Sequence, residues 1–230
     1  MPEIPRFQST YKPYIFSDGE FAAIIHAADN FQGNVLETAS SFVFPVLLRI
    51  LYGCGLRLGE GLLLRWQNIN LDTGVITIFE AKNNRQRIVP MSNSLTELLK
   101  LFCQKNAPES SDYLFESPRR NREPYRECAF RFWFAKILEQ AGIQPPILSA
   151  YDRGICPHCL RHLFVHKSFL KSEAEGRRFE ETVPFLSEYL GHQSLYETDK
   201  YLNTDYTIYT ASHQRMNKTV GDLFPEVVFE

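Results

Sequence analysis

Side chains able to hold an anion recur at element ends along this 230-residue chain. Gly55-Leu56-Arg57-Leu58-Gly59-Glu60 sets an arginine directly after a glycine turn, where the free N–H groups of a helix start also favour negative charge. His158 and Arg161 are three residues apart and so share one helix face, and His162 follows directly. Lys82 ends a β-branched run and reaches the same pocket if its sheet packs beside these helices. Leu190-Gly191-His192 puts a histidine just past a helix end, and nine residues on comes Tyr201. Each pattern alone is short enough to recur by chance, and an isolated H-x-x-R is ordinarily a surface pair.

Cys156-Pro157-His158-Cys159 has the C-x-x-C form of disulfide oxidoreductases. That chemistry sits early in a βαβ unit, and no strand-rich segment precedes residue 156 for more than 60 residues. A zinc site from Cys156, Cys159, His162 and His166 lacks the roughly 12-residue spacer that lets two ligand pairs fold onto one metal. The pair reads as thiols placed incidentally near a helix start. The five cysteines, an odd number, suit a reducing compartment and read as free thiols.

The elements that would position these residues follow from periodicity. Three prolines in residues 1–16 mark a linker or arm. Ser17-Asp18-Gly19-Glu20 has capping-box spacing and opens a helix to Asp29. Glu37 to Tyr52 is apolar nearly all round, as expected of a central core helix, and Arg57 to Trp66 reads as a second, short helix. Val75–Phe79 and Gln86–Pro90 flank Asn83-Asn84 as a β-hairpin, with Asn68–Leu71 as a third strand. Helices resume from a capping box at Ser94-Leu95-Thr96-Glu97 to Asn106, then over Tyr125–Gln140, where Phe130, Trp133, Phe134 and Ile137 form the core stripe. Further helices fall at Pro157–Lys171, Thr182–Leu190, Ser194–Leu202 and Tyr206–Asn217. The fold class is α+β, mostly helical, with a small three-stranded antiparallel sheet.

Taken in order, Gly55-Leu56-Arg57 with Glu60, Ala81-Lys82 before Arg87-Ile88-Val89-Pro90, His158-Cys159-Leu160-Arg161-His162, Leu190-Gly191-His192 and Tyr201 resemble the catalytic domain of the tyrosine recombinases, the phage-integrase family. The resemblance runs from Tyr11 to Asn217, and its specificity lies in the order and spacing of five motifs. It implies a catalytic domain over 17–217, between the arm 1–16 and a tail 218–230. It implies Tyr201 as nucleophile on a DNA phosphodiester, leaving a 3′-phosphotyrosyl link, with neither metal nor ATP as cofactor. Arg57 and Arg161 would hold the non-bridging oxygens, Lys82 protonate the departing 5′-oxygen, His158 assist proton removal from Tyr201 and His192 hydrogen-bond the phosphate. Only spacing from His192 selects Tyr201 over Tyr196, Tyr206 and Tyr209, of which the last two read as packing residues. Glu60 reads as steadying the arginine helix.

The implied partners are double-stranded DNA and further copies of the chain, as a tetramer on two duplexes, with Ile208–Phe229 docking on a neighbour. The formal charge of −2 taken alone opposes a nucleic-acid partner, yet Ser117–Lys136 carries six basic residues against two acids. Arg119, Arg120, Arg122 and Arg126 there, with Arg85 and Arg87 on the hairpin, are candidates for phosphate contact against the plainer reading of solvated charges. Family members usually carry a core-binding domain before the catalytic one, and its absence here reads as a fragment or a short member. Ser172–Glu181 reads as an unusually long loop, and Asn68 stands where an aspartate is common. The Phe42–Leu48 apolar run is far short of the roughly 20 residues that span a bilayer, and the N-terminus is no secretory signal, so a cytoplasmic protein without a membrane partner is expected. Strand exchange is the leading function. A monomeric topoisomerase-type activity and a non-catalytic DNA-binding domain are the alternatives.

Overall fold

A computed structural model describes residues 13–31, 38–80, 85–106, 112–118, 120–144 and 154–192. Lys82, Arg119, Tyr201, Tyr206, Tyr209 and the two helices expected after residue 193 lie outside them. Seven α-helices and three strands are described: α1 (Asp18–Asp29), α2 (Thr38–Gly53), α3 (Leu58–Leu62), β1 (Ile69–Asn70), β2 (Val75–Glu80), β3 (Arg85–Pro90), α4 (Asn93–Asn106), α5 (Glu127–Gln140), α6 (His158–Ala174) and α7 (Phe179–Leu190). The chain divides into two compact units, Met1–Val165 and His166–Glu230, with α6 crossing the division.

In the first unit α2 is central, which is why it is apolar on every side: α1, α3 and α4 all pack on it. Phe44, Leu47, Leu48, Ile50 and Leu51 of α2 are fully buried. Phe44 meets the rings of Tyr125, Phe130 and Trp133 edge-on at 4.8, 5.2 and 5.3 Å, so the expected core stripe of α5 is in place. Pro45 is tolerated inside α2, and Arg49 donates to its carbonyl. Ser17 caps α1 with the capping box that its spacing predicts.

The sheet order is β1-β2-β3, all antiparallel, with Ile76 opposite Val89 and Ile78 opposite Arg87. Alternation puts Ile76, Ile78, Arg87 and Val89 on the buried face and leaves Phe79 and Ile88 exposed. An arginine thus points inward where its isoleucine neighbour points out.

Four expectations are corrected. The helix expected over 57–66 is only α3, because Leu64 O and Trp66 N pair with Leu114 N and Asp112 O and draw the chain into an isolated bridge at Arg65–Tyr113. Helix α4 is capped by Ser92, not by Ser94: the Ser92 carbonyl takes Thr96 N–H and its hydroxyl takes Leu95 N–H. Helix α5 starts at Glu127, since Tyr125 N–H is bonded to the Phe115 carbonyl. The long loop over 172–181 is absent, because α6 runs to Ala174 and α7 begins at Phe179. Exposed Glu and Lys at those helix ends made a polar but helix-compatible stretch look like loop.

In the second unit Ser172 Oγ and Thr182 Oγ1 lie 2.6 Å apart and tie α6 to α7. Gly191 ends α7 in the left-handed region at φ 68°, and His192 N–H bonds the Ser187 carbonyl, a Schellman closure that fixes where His192 leaves the helix. No helix among the described residues is long and apolar enough to cross a membrane.

Gly55 makes the turn between α2 and α3. Its φ is +60°, and a Cβ there would sit 2.5 Å from Cδ1 of Phe164. Gly55→Ala therefore adds left-handed strain to an overpacked ring and should lower the unfolding free energy by roughly 2–4 kcal/mol, measured by urea denaturation.

Candidate active site

Three guanidiniums from three separate segments converge on one carboxylate. Glu60, in the first turn of α3, reaches back to Arg57 N–H at 2.8 Å and takes Arg57 Nη1 on its other oxygen at 2.9 Å. Arg87 Nη2 of β3 lies 2.7 Å from Glu60, and Arg161 Nη1 of α6 lies 4.0 Å away. Arg161 is fully buried and donates to the Gly55 carbonyl at 2.8 Å, pinning the glycine turn from below. Three arginines against one glutamate leave two positive charges in excess at this point.

Burial alone would raise the Glu60 carboxyl pKa, but the hydrogen bond and charge of Arg87, the Arg57 N–H and the Arg161 charge outweigh it and hold it below the usual range. Glu60 is thus an ionised brace, which agrees with its reading as a steadying residue. Arg87 was expected at DNA or as an exposed hairpin charge; its side chain is only 8% exposed and is bonded to Glu60. The signal for this lay in the sheet period, which groups position 87 with the buried Val89.

Arg57, 40% exposed, and His158, at the first residue of α6, line one open cavity of about 700 Å³ with Arg131, Glu127 and Cys156. Arg131, a lining residue not singled out from sequence, is paired with Glu127 at 2.8 Å. Behind His158 its ring partner His162, 4.8 Å away, is buried. Burial, then His158 and the Arg161 charge, push the His162 imidazole down to about 3, so it is neutral at pH 7. Asn68 retains an acceptor where an aspartate is common, its Oδ1 taking Arg65 N–H at 2.9 Å.

Of the other sequence candidates, Arg120 is bonded to Glu123 and to the Pro124 carbonyl. Arg122 is 67% exposed at φ 67°, 3.6 Å from Asp112, and Arg126 is an exposed residue preceding α5. Arg85 is placed by its backbone alone, opposite Glu80 in the hairpin. His192 belongs to the second unit.

A cavity lined by Arg57, Arg131 and His158, whose Arg57 shares Glu60 with two buried arginines, has the planar, multiply donating groups that suit an anion. Residues 16–207 match the model of the phage integrase family. The chain belongs to that family. Its relatives include tyrosine recombinase XerC of Xylella fastidiosa (strain M23), 27% identical over 176 residues, 75% of this chain and 53% of the relative. The chain therefore spans about half the length of the curated relatives that it matches. Among solved structures, XerH recombinase bound to palindromic difH substrate in a post-cleavage complex superposes with a TM-score of 0.66 at 20% identity, over 94% of this chain and 54% of that one. A lambda integrase tetramer bound to a Holliday junction gives 0.55 at 16% identity, over 81% and 49%. The fold is that of the family's catalytic domains.

Two measurements test the site. Glu60→Ala leaves Arg87 and Arg161 buried without their shared carboxylate and should cost about 3–5 kcal/mol of stability, read from the urea midpoint. The unfolded His162 imidazole takes a proton near pH 6.5, whereas the folded one does so only near 3. Between these values the unfolded state binds more protons, so stability falls as pH falls, by at most about 1.4 kcal/mol per unit from this group. His162→Gln should flatten the stability profile between pH 6.5 and 4 relative to the parent.

Proposed function

We propose that this chain carries the catalytic machinery of a site-specific DNA recombinase, cleaving and rejoining strands through a 3′-phosphotyrosyl intermediate. The observation that carries the reading is the pairing of Arg57 with His158 in one cavity, braced by Glu60 and backed by Arg161, in a chain of this family.

A phosphodiester in the cavity would meet the Arg57 fork, already oriented by Glu60, so little reorganisation is needed as charge grows on the non-bridging oxygens. Arg161 supplies the second guanidinium from beneath the Gly55 turn. In this scheme His158 accepts a proton from the attacking Tyr201 hydroxyl, and Lys82 returns one to the departing 5′-oxygen. His192 hydrogen-bonds the phosphate. The bond energy kept in the phosphotyrosine allows religation, and the scheme calls for neither metal nor ATP.

Double-stranded DNA is the proposed substrate and a tetramer on two duplexes the working assembly, as the lambda integrase complex suggests. Arg85, Arg119, Arg120, Arg122 and Arg126 are proposed backbone contacts, and Arg87 is proposed to act through Glu60 instead.

The test is a covalent-adduct assay in EDTA, with nicked duplexes from the DNA flanking the gene, run beside Tyr201→Phe. The parent should give a protease-sensitive protein–DNA adduct that the Phe variant loses completely. An adduct that persists in Tyr201→Phe assigns the nucleophile elsewhere. No adduct on any duplex, including after a core-binding domain is fused in front, overturns the enzymatic reading in favour of DNA binding alone.

A further inference from the structure

Cys156 and Cys159 have no part in the proposed strand chemistry, yet they bracket His158 at the start of α6. Cys156 lines the Arg57–His158 cavity, while Cys159 is buried one turn behind it. Cys159 N–H bonds the Cys156 carbonyl at 2.9 Å, closing a four-residue turn. Such a turn brings its end Cα atoms within about 7 Å, the separation that a disulfide spans.

The two thiols are unequal. The hydrogen bond from Cys159, the His158 and Cys159 N–H groups and the Arg131 charge hold the Cys156 thiol well below the ordinary range against its burial. The same shared bond and burial push Cys159 up, so it keeps its proton. Cys54 is deeply buried and pushed up to about 12, which leaves it inert.

We propose that Cys156 and Cys159 are an oxidisable dithiol, which a peroxide closes to an intramolecular disulfide across the first turn of α6, in the wall of the cavity. The Cys156 thiolate attacks one peroxide oxygen. The O–O bond breaks, the sulfur is oxidised to a sulfenic acid and the peroxide is reduced to hydroxide, which takes a solvent proton. The Cys159 sulfur then attacks Cys156 as its proton leaves, an S–S bond forms, the S–O bond breaks and water departs. For hydrogen peroxide the sum is two thiols and one peroxide giving one disulfide and two waters. The bridge removes a negative sulfur from the cavity and ties the turn that carries His158. Because the reduced thiolate is stabilised, the disulfide is easily reduced again, the behaviour of a reversible bridge and not a structural one.

The proposal does not rest on recombination, and its readouts are the thiols alone. In the full chain at pH 6, Cys156 should react with a maleimide about tenfold faster than the exposed Cys128, because an ordinary thiol is almost wholly protonated there. Hydrogen peroxide should give a product lighter by two hydrogens, with Cys156 and Cys159 joined in one peptide, reversed by dithiothreitol and unchanged in Cys128→Ser. Cys156→Ser should abolish it. Cys159→Ser should stop at a Cys156 sulfenic acid trapped by dimedone, and this variant carries the test if Cys156→Ser does not fold. Oxidation of Cys128 or Cys103 ahead of the pair, bridges only between chains, or equal maleimide rates for Cys156 and Cys128 would overturn it.

Discussion

One carboxylate organises the charged half of this molecule. Arg57, Arg87 and Arg161 come from a helix start, a hairpin strand and a helix about a hundred residues later, and Glu60 is the group on which all three close. Burying two guanidiniums with almost no access to water is costly unless each is paired and hydrogen-bonded. Glu60 and the Gly55 carbonyl supply those acceptors, and the lowered Glu60 pKa is the electrostatic mark of that arrangement. Remove the carboxylate and the excess positive charge that suits the cavity to an anion becomes mutual repulsion within the core.

The surrounding packing serves this cluster. Helix α2 fills the centre, and Gly61 lets α3 approach it so closely that a Cβ would lie 2.9 Å from Leu47. The Gly55 turn, seated on the Phe164 ring and pinned by Arg161, sets where α3 begins and therefore where Arg57 projects. His158 reaches the same cavity because α6 starts at that residue, and its position is backed by a buried, neutral His162. Ordered elements thus hold Arg57 and His158 at the cavity wall, the condition under which electrostatic stabilisation of a developing charge is most effective.

Much of this was legible in the linear chain. The capping box at Ser17, the all-round apolar character of α2, the period-two runs of the hairpin and the Phe130–Ile137 stripe are local signals, and the elements they announce form where expected. Misreadings fell where non-local bonds override local preference. Bonds from Leu64 and Trp66 to the 112–114 segment truncate α3, and Tyr125 is held by Phe115 instead of entering α5. At 172–181 the polarity that suggests a loop marks only exposure, and an exposed helix end is equally polar.

The order and spacing of Gly55-Leu56-Arg57, Lys82, His158-x-x-Arg161, Leu190-Gly191-His192 and Tyr201 determined the family by themselves, because side-chain type and sequence distance are all that such a signature needs. Tertiary structure alone decided how the arginines divide their work. The strand period groups Arg87 with the buried Val89, but only the packing of β3 near α3 brings Glu60 within hydrogen-bond reach of it. The same holds for Arg161, whose burial under Gly55 depends on a contact across 106 residues of chain. An ion pair falls off with distance in space, and the sequence records only distance along the chain.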